Sequence, residues 1–486
     1  MKPAIFKLLY KLLDFTMMRV SKQHISLLFA VVFSLLISCE KNMGPDPGNG
    51  NGTVISEQTK YINNWIFDVM HEVYLWEEFI PAGLEPDKAP DPEKFFYEFV
   101  YDLDRFSWIY NDYDGLMGEY YGVQKSTGFS PAFGRINGSD TLFAVVEYVY
   151  RGSPADSAEL KRGDIILEVD GQPLTVNTYR DILQTNTMTL TLGEPIPGGY
   201  KALDQKITVQ PRVIAEDPAV HWEVLDVEGH RVGYLAYVSF TSGENDEYLY
   251  TLNTVFQEFA SAGIKDMILD LRYNRGGDQE SAGWLASGVC PAVNVSNRDV
   301  MIRFQWNAGY TAYFKQTEGE DSENLQFRFP ANPYNLDLDR IFVFTTDETA
   351  SASEFTITGL DPYMDVITIG DTTFGKYTGA WIIPDLADPP NHNWAMIPTV
   401  MKYANAEGFT EFNHGLPPDH AVDPYQLPLW PFGDPRDPMT AEALSLLTGQ
   451  APSAYLKREA AKPPVDWFDV PVNEFKRNLY LEPILK

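Results

Sequence analysis

The sequence predicts a multidomain protein: a small helical N-terminal domain, a β-rich module and a larger α/β domain. Three observations predict it. At 486 residues, with 44% hydrophobic and 14% aromatic side chains, the chain is globular and too long for one core. Its hydrophobic spacing changes from steps of three and four before Leu103 to alternation between Gly122 and Arg212. Beyond Arg212, apolar runs suited to buried strands alternate with helical stretches, the α/β pattern. The segments divide as 1–38, an export signal; 39–54, a modified cysteine and tether; 55–115, helical; 120–212, β-rich; 213–450, α/β; and 451–486, a C-terminal extension.

The first segment is read from charge and length. Arg19, Lys22 and His24 precede an apolar stretch from Ile25 to Ile37, which is too short to span a bilayer and so predicts a signal peptide. Met17 or Met18 makes a better start for such a signal than Met1. The stretch ends Leu36-Ile37-Ser38-Cys39, which resembles the bacterial lipobox. That resemblance implies cleavage before Cys39, lipidation of Cys39, and a protein held on the cell envelope, at the outer membrane. Asp46-Pro47-Gly48-Asn49-Gly50-Asn51-Gly52 has the composition of a flexible tether. With Cys39 lipidated, the second cysteine, Cys290, has no intrachain partner, so the fold must stand without a disulfide.

Ile62, Trp65, Ile66, Val69, Met70, Val73 and Trp76 recur at helical spacing, and Pro81 and Pro86 should end that helix. A second, aromatic-rich helix is expected from Pro92 to Leu103. Neither carries residues that suggest chemistry. In the β-rich module, Leu142 to Tyr150 reads as a strand, Ser153 to Leu160 as a turn and short helix, and Ile165 to Val169 as a strand entering an Asp170-Gly171 turn. Gly152-Ser153-Pro154-Ala155, then Leu160-Lys161-Arg162-Gly163-Asp164-Ile165-Ile166-Leu167, then Val169-Asp170-Gly171-Gln172 resembles a PDZ domain. The resemblance implies that an extended C-terminal peptide adds as a strand near Gly128, Phe129, Phe133 and Gly134. That stretch departs from the usual glycine–apolar–glycine carboxylate loop.

In the α/β domain, Met267-Ile268-Leu269-Asp270-Leu271-Arg272 reads as a buried parallel strand that exits into Tyr273-Asn274-Arg275-Gly276-Gly277. Paired glycines let backbone N–H groups face a reacting carbonyl, although glycines also mark ordinary turns. Ile341 to Thr345 is the next strand, and Thr349-Ala350-Ser351-Ala352-Ser353-Glu354 follows it. Ser351 stands where a helix begins, so it reads either as an N-cap or as a nucleophile with Ala352 N–H near a developing oxyanion. Lys376, in Thr373-Phe374-Gly375-Lys376, arrives twenty-five positions later at another strand exit. Partial desolvation there can leave its amine neutral and basic.

Together these motifs, with Asn413-His414-Gly415-Leu416-Pro417-Pro418-Asp419 and Gly433-Asp434-Pro435-Arg436-Asp437-Pro438, resemble the C-terminal processing (tail-specific) serine proteases from about residue 60 to 450. The resemblance implies a crotonase-like ββα-spiral catalytic domain, Ser351 as nucleophile, Lys376 as general base, and the N–H groups of Gly276 and Ala352 as the oxyanion hole. It implies an endopeptidase acting on polypeptides with accessible C-termini. The family often has a glutamine four residues after the lysine to orient it; here that position is Ala380. A weak or inactive family member that binds peptides in the envelope is the alternative.

Other chemistries fit less well. A net charge of −31 argues against nucleic acid. Gly370-Asp371-Thr372-Thr373-Phe374-Gly375-Lys376-Tyr377 nearly spells a phosphate loop, but Tyr377 stands where Ser or Thr must hold magnesium, so no nucleotide is expected. The seven histidines lack paired metal-ligand spacing, and neither metal nor cofactor is expected. His414 is the histidine a Ser-His-Asp triad would use.

Overall fold

The computed structural model describes residues 55–120, 123–136, 139–183, 186–196 and 199–451, with the backbone of 465–467 and 482–483. The predicted signal, Cys39 and the tether lie outside the described residues.

Ser56 caps the helix Glu57–Val73 by accepting from the Thr59 N–H at 3.0 Å, and the helix buries Ile62, Ile66, Val69, Met70 and Val73, the predicted stripe. It stops short of the prolines expected to end it, with the Leu75 N–H donating to the carbonyl of Thr399 at 2.9 Å. The second helix is Pro92–Tyr97 and does not run on to Leu103. Beyond it the chain bends around Asp104, whose carboxylate accepts from the Phe106 and Ser107 N–H groups and the Tyr74 hydroxyl. These segments share one hydrophobic cluster with the α/β domain, Phe95 and Phe99 lying in the same core as Leu235, Phe256 and Phe259. Trp108–Tyr110 also pairs with Ala395–Ile397. The core of the 55–115 segment is therefore continuous with that of the α/β domain.

The β-rich module does have its own core, including Leu142, Ala144, Val146, Ile166 and Leu190. Phe129–Ile136, Leu142–Val149, Ile165–Val169, Met188–Ile196 and Gly199–Val209 pair antiparallel in that order. Asp170 and Gly171 both take positive φ, 52° and 76°, as a two-residue hairpin turn of type I′ requires. Val465–Trp467 adds antiparallel to the outer side of Phe129–Ile136.

The main sheet of the α/β domain runs Ala219–Val227, His230–Tyr237, Asp266–Asp270, Arg340–Thr345, Asp365–Gly370, His420–Ala421. Its first pair is antiparallel and the rest are parallel. Helices Glu247–Ala262, Gln279–Val289 and Ala352–Leu360 follow successive parallel strands. A second sheet contains Thr378–Pro384, Thr399–Asn405 and Val300–Trp306. Cys290 is buried and unpaired, and burial pushes its thiol up to about 12.

Candidate active site

Both candidate loops leave the carboxyl ends of adjacent parallel strands, where an open α/β sheet forms its crevice. Hydroxyl groups lace the loops together. Thr346 Oγ1 donates to the carbonyl of Arg272 at 2.6 Å, Thr349 Oγ1 to that of Leu271 at 3.0 Å, and Ser353 Oγ to that of Asn274 at 2.9 Å. Behind them the buried Arg272 bonds Asp270 and, through both terminal nitrogens, Asp437 at 2.9 and 3.1 Å. Burial alone would raise the Asp437 carboxyl, but Arg272, Arg162 and the Thr440 N–H together outweigh it and hold Asp437 below the usual carboxylate range. Asp437 also caps the helix Pro438–Thr448, so this buried ion pair ties the glycine loop to a distant helix.

Ser351 is 8% exposed and sits at φ 55°, ψ −113°, a conformation that non-glycine residues rarely adopt. Strain of this kind costs about 1–3 kcal/mol and persists only when the surroundings enforce it. Glycine at 276 is one condition. A Cβ there would lie 2.7 Å from Ser351 Cβ and 2.8 Å from the Ala352 nitrogen, which also puts the glycine loop, the serine and the helix start in contact. The Gly276 N–H, expected to bind an oxyanion, donates instead to Asn274 Oδ1 at 2.8 Å. Asn274 is itself fixed by donating to the carbonyl of Tyr237 at 2.9 Å. Among the described residues the N–H groups of Gly277 and Ala352 have no acceptor, and both residues line a small cavity with Ser351.

Lys376 is 4% exposed, and its Nζ lies 5.6 Å from the centre of the Phe106 ring. The N-terminal segment, read as having no chemistry, thus supplies an apolar wall for the lysine. Two side chains join the backbones of Ser351 and Lys376. The carboxylate of Glu354, fully buried, accepts from the N–H groups of Ser351 at 2.9 Å, Lys376 at 2.8 Å and Gly375 at 2.7 Å, and from Thr373 Oγ1 at 2.5 Å. Burial pushes the Glu354 carboxyl up, and these donors oppose the rise. On the opposite side Tyr403 Oη donates to the carbonyls of Lys376 at 3.0 Å and Ser351 at 3.2 Å.

Glu354 and Tyr403 are absent from the sequence-derived set. Glu354 carries a signal, since it stands three residues after the cap at capping-box spacing. Tyr403 carries none, because it comes from the second sheet. Ala380 is buried and lines the cavity beside Ser351, together with Gln279 and Thr378. His414 is exposed, and its loop packs against Thr373–Gly375 through backbone atoms around Gly375 and Gly415. A strand, Thr378–Pro384, follows the phosphate-loop-like segment where a nucleotide site would need a helix.

In the PDZ-like module Phe129 and Phe133 belong to the core, and Gly134 lies against the Phe143 ring. The Gly128 N–H, which would face a carboxylate, donates to Ser126 Oγ at 3.0 Å. The module is joined to the site by Arg162. Its Nε donates to the carbonyl of Trp430, and its Nη1 to the carbonyl of Glu147 and to the Tyr273 hydroxyl, each at 2.7 Å.

The fold and this arrangement define an α/β protein with a buried serine and lysine on facing loops and an appended PDZ module. Residues 231–422 match the model of peptidase family S41, residues 61–108 the S41 N-terminal domain, and residues 145–192 a PDZ domain. Residues 231–422 are thus a peptidase S41 domain, preceded by the S41 N-terminal domain and a PDZ domain. A Bacteroides fragilis protein assigned to the S41 proteases has a similar crystal structure, with 27% identity, a TM-score of 0.67, and coverage of 79% of this chain and 97% of that one. The carboxy-terminal-processing protease of Bartonella bacilliformis is 28% identical over 278 residues, 56% of each chain. The chloroplastic C-terminal processing peptidase of Tetradesmus obliquus is 25% identical over 290 residues, 57% of this chain and 56% of that protein. The matched region spans little more than half the length of these curated relatives.

Proposed function

We propose that the protein is a serine endopeptidase that cleaves unfolded or C-terminally presented polypeptides, with Ser351 as nucleophile and Lys376 as general base. The carrying observation is that Glu354 and Tyr403 each bond to both residues, holding a strained serine against a lysine loop buried from water. Ser351 Oγ attacks the peptide carbonyl while the neutral Lys376 amine takes its proton. The oxyanion that forms is met by the Ala352 N–H at the helix start and by the Gly276-Gly277 loop. Of the two glycines, the Gly277 N–H is the one left available, because Asn274 holds that of Gly276. Lys376 returns the proton to the leaving amine, and water releases the acyl-enzyme.

The S41 domain and the names of the relatives support the reading of activity. The PDZ module suits polypeptide substrates with accessible C-termini. Anchoring through a lipidated Cys39 in the cell envelope belongs to the same proposal and rests on the signal and lipobox sequence. Ala380 favours one alternative, a slow or inactive member that only binds peptides.

Ser351→Ala should abolish cleavage of an unfolded protein while leaving thermal unfolding nearly unchanged. Lys376→Arg should abolish it too, because arginine stays protonated. Turnover that survives in Ser351→Ala removes the serine mechanism, and turnover that survives in Lys376→Arg removes the lysine base. Reaction of wild type but not Ser351→Ala with a fluorophosphonate excludes the binding-only alternative.

A further inference from the structure

The cavity beside Ser351 has walls of two kinds. Phe304, Phe355 and Met401 are apolar, whereas Gln279 and Thr378 bring polar side chains to the same space. Among the described residues, Gln279 Oε1 and Thr378 Oγ1 are buried and have no hydrogen-bond partner. Thr378 as a whole is 1% exposed. Unpartnered oxygens in such surroundings are rare, because each forfeits its hydration without compensation. The cavity measures about 20 Å³, room for about one water-sized group.

We propose that Gln279 and Thr378 are specificity-determining residues that select, on the acyl side of the cleaved bond, a small side chain bearing a hydroxyl. The inference rests on Ser351 being the nucleophile. A substrate carbonyl bonded to Ser351 Oγ and facing the Ala352 and Gly277 N–H groups carries its own α-carbon one bond away. The side chain on that carbon is the one within reach of the cavity. Serine or threonine supplies a hydroxyl that donates to Gln279 Oε1 and exchanges a bond with Thr378 Oγ1. Alanine or valine leaves both oxygens unpaired, and leucine or phenylalanine does not fit.

The test uses the full protein and a mixture of denatured proteins, with every cleavage site read by mass spectrometry, so that no substrate sequence need be known. Serine and threonine should be enriched over alanine and valine at the acyl-side position by about tenfold or more, the order expected when buried acceptors are left unpaired. Gln279→Leu and Thr378→Val should each bring the threonine-to-valine ratio toward one; two separate variants guard against one failing to fold. Cleavage mainly after alanine, valine or leucine overturns the proposal, as does a ratio unchanged in both variants. Ser351→Ala serves as the control: cleavage that persists in it defeats the nucleophile assignment, whereas Ser351-dependent cleavage with no hydroxyl preference defeats only the pocket.

Discussion

Tyr403 reaches across from the second sheet and donates one hydroxyl to two carbonyls, those of Ser351 and Lys376, while Glu354 collects the N–H groups of the same two residues. The serine and lysine are thus held as one unit by side chains that need not touch substrate. Tyr403→Phe keeps the ring, its edge contacts with Phe355 and Phe412, and the packing of the site. What it removes is the shared donor, at a cost of about 1–3 kcal/mol, while the Ser351 carbonyl keeps the Phe355 N–H at 2.8 Å. Since the lysine and serine then lose common registration, kcat should fall about ten- to a hundredfold with KM little changed. A rise in KM with intact kcat would show that Tyr403 acts on substrate and not on the pair. The fluorophosphonate rate reads the same loss without any substrate.

At the scale of elements, the glycine loop and the serine loop work because the backbones touch. A Cβ on Gly276 would fall 2.7 Å from both the Ala350 carbonyl oxygen and Ser351 Cβ, and Gly276 stands at φ 102°. Gly276→Ala should therefore destabilise the fold by about 1–3 kcal/mol and lower activity by more than the fraction unfolded, as thermal melts and turnover measured together would report. Turnover that simply tracks the folded fraction would mean the loop does not shape the site. The local elements were legible where the signal is local: the helix over 57–73 from its apolar stripe, the hairpin at Asp170-Gly171 from its turn chemistry, and the buried strand from Met267 onward. Helix ends were not, because Thr399 and Asp104, far away and just beyond, decide where the helices stop. Motif order brings Ser351 and Lys376 forward as candidates, and the side chains that join their backbones come from two sources. Glu354 sits at capping spacing in the same motif and Gln279 two residues after Gly277, whereas Tyr403 and Phe106 reach the site through tertiary packing that no spacing encodes. The Gly276 N–H, expected to meet the oxyanion, is taken up by Asn274 Oδ1, because a glycine pair does not reveal which of its two N–H groups is free.

Across the whole molecule, the PDZ module and the catalytic loops meet around buried charge. Glu147, on the Leu142–Val149 strand, accepts from Ser130 Oγ at 2.8 Å and faces the ion pair of Arg275 with Glu348. Arg275 precedes Gly276, and Glu348 lies three residues before Ser351, so the module's carboxyl touches both loops of the site electrostatically. Burial, helped by repulsion from Glu348, pushes the Glu147 carboxyl up to about 8 from an ordinary 4.5, against the pull of Ser130, Arg275 and Arg162. A carboxyl whose pKa is higher in the folded state binds its proton more tightly there than in the unfolded chain. Its contribution to stability is therefore fully present below about pH 4.5 and is lost as the pH rises through about 8. Other carboxylates with lowered values, such as Asp437, act in the opposite direction and are lost only in acid. Between about pH 5 and 9 the Glu147 contribution should appear as a declining melting temperature in wild type. In Glu147→Gln, which keeps the shape and the Ser130 contact but cannot ionise, that component of the decline should vanish, leaving the variant a few degrees more stable than wild type at about pH 9. Parallel melting curves for the two proteins across this range would mean that Glu147 is already ionised and paired, and that the contact between module and catalytic loops is not set by its proton.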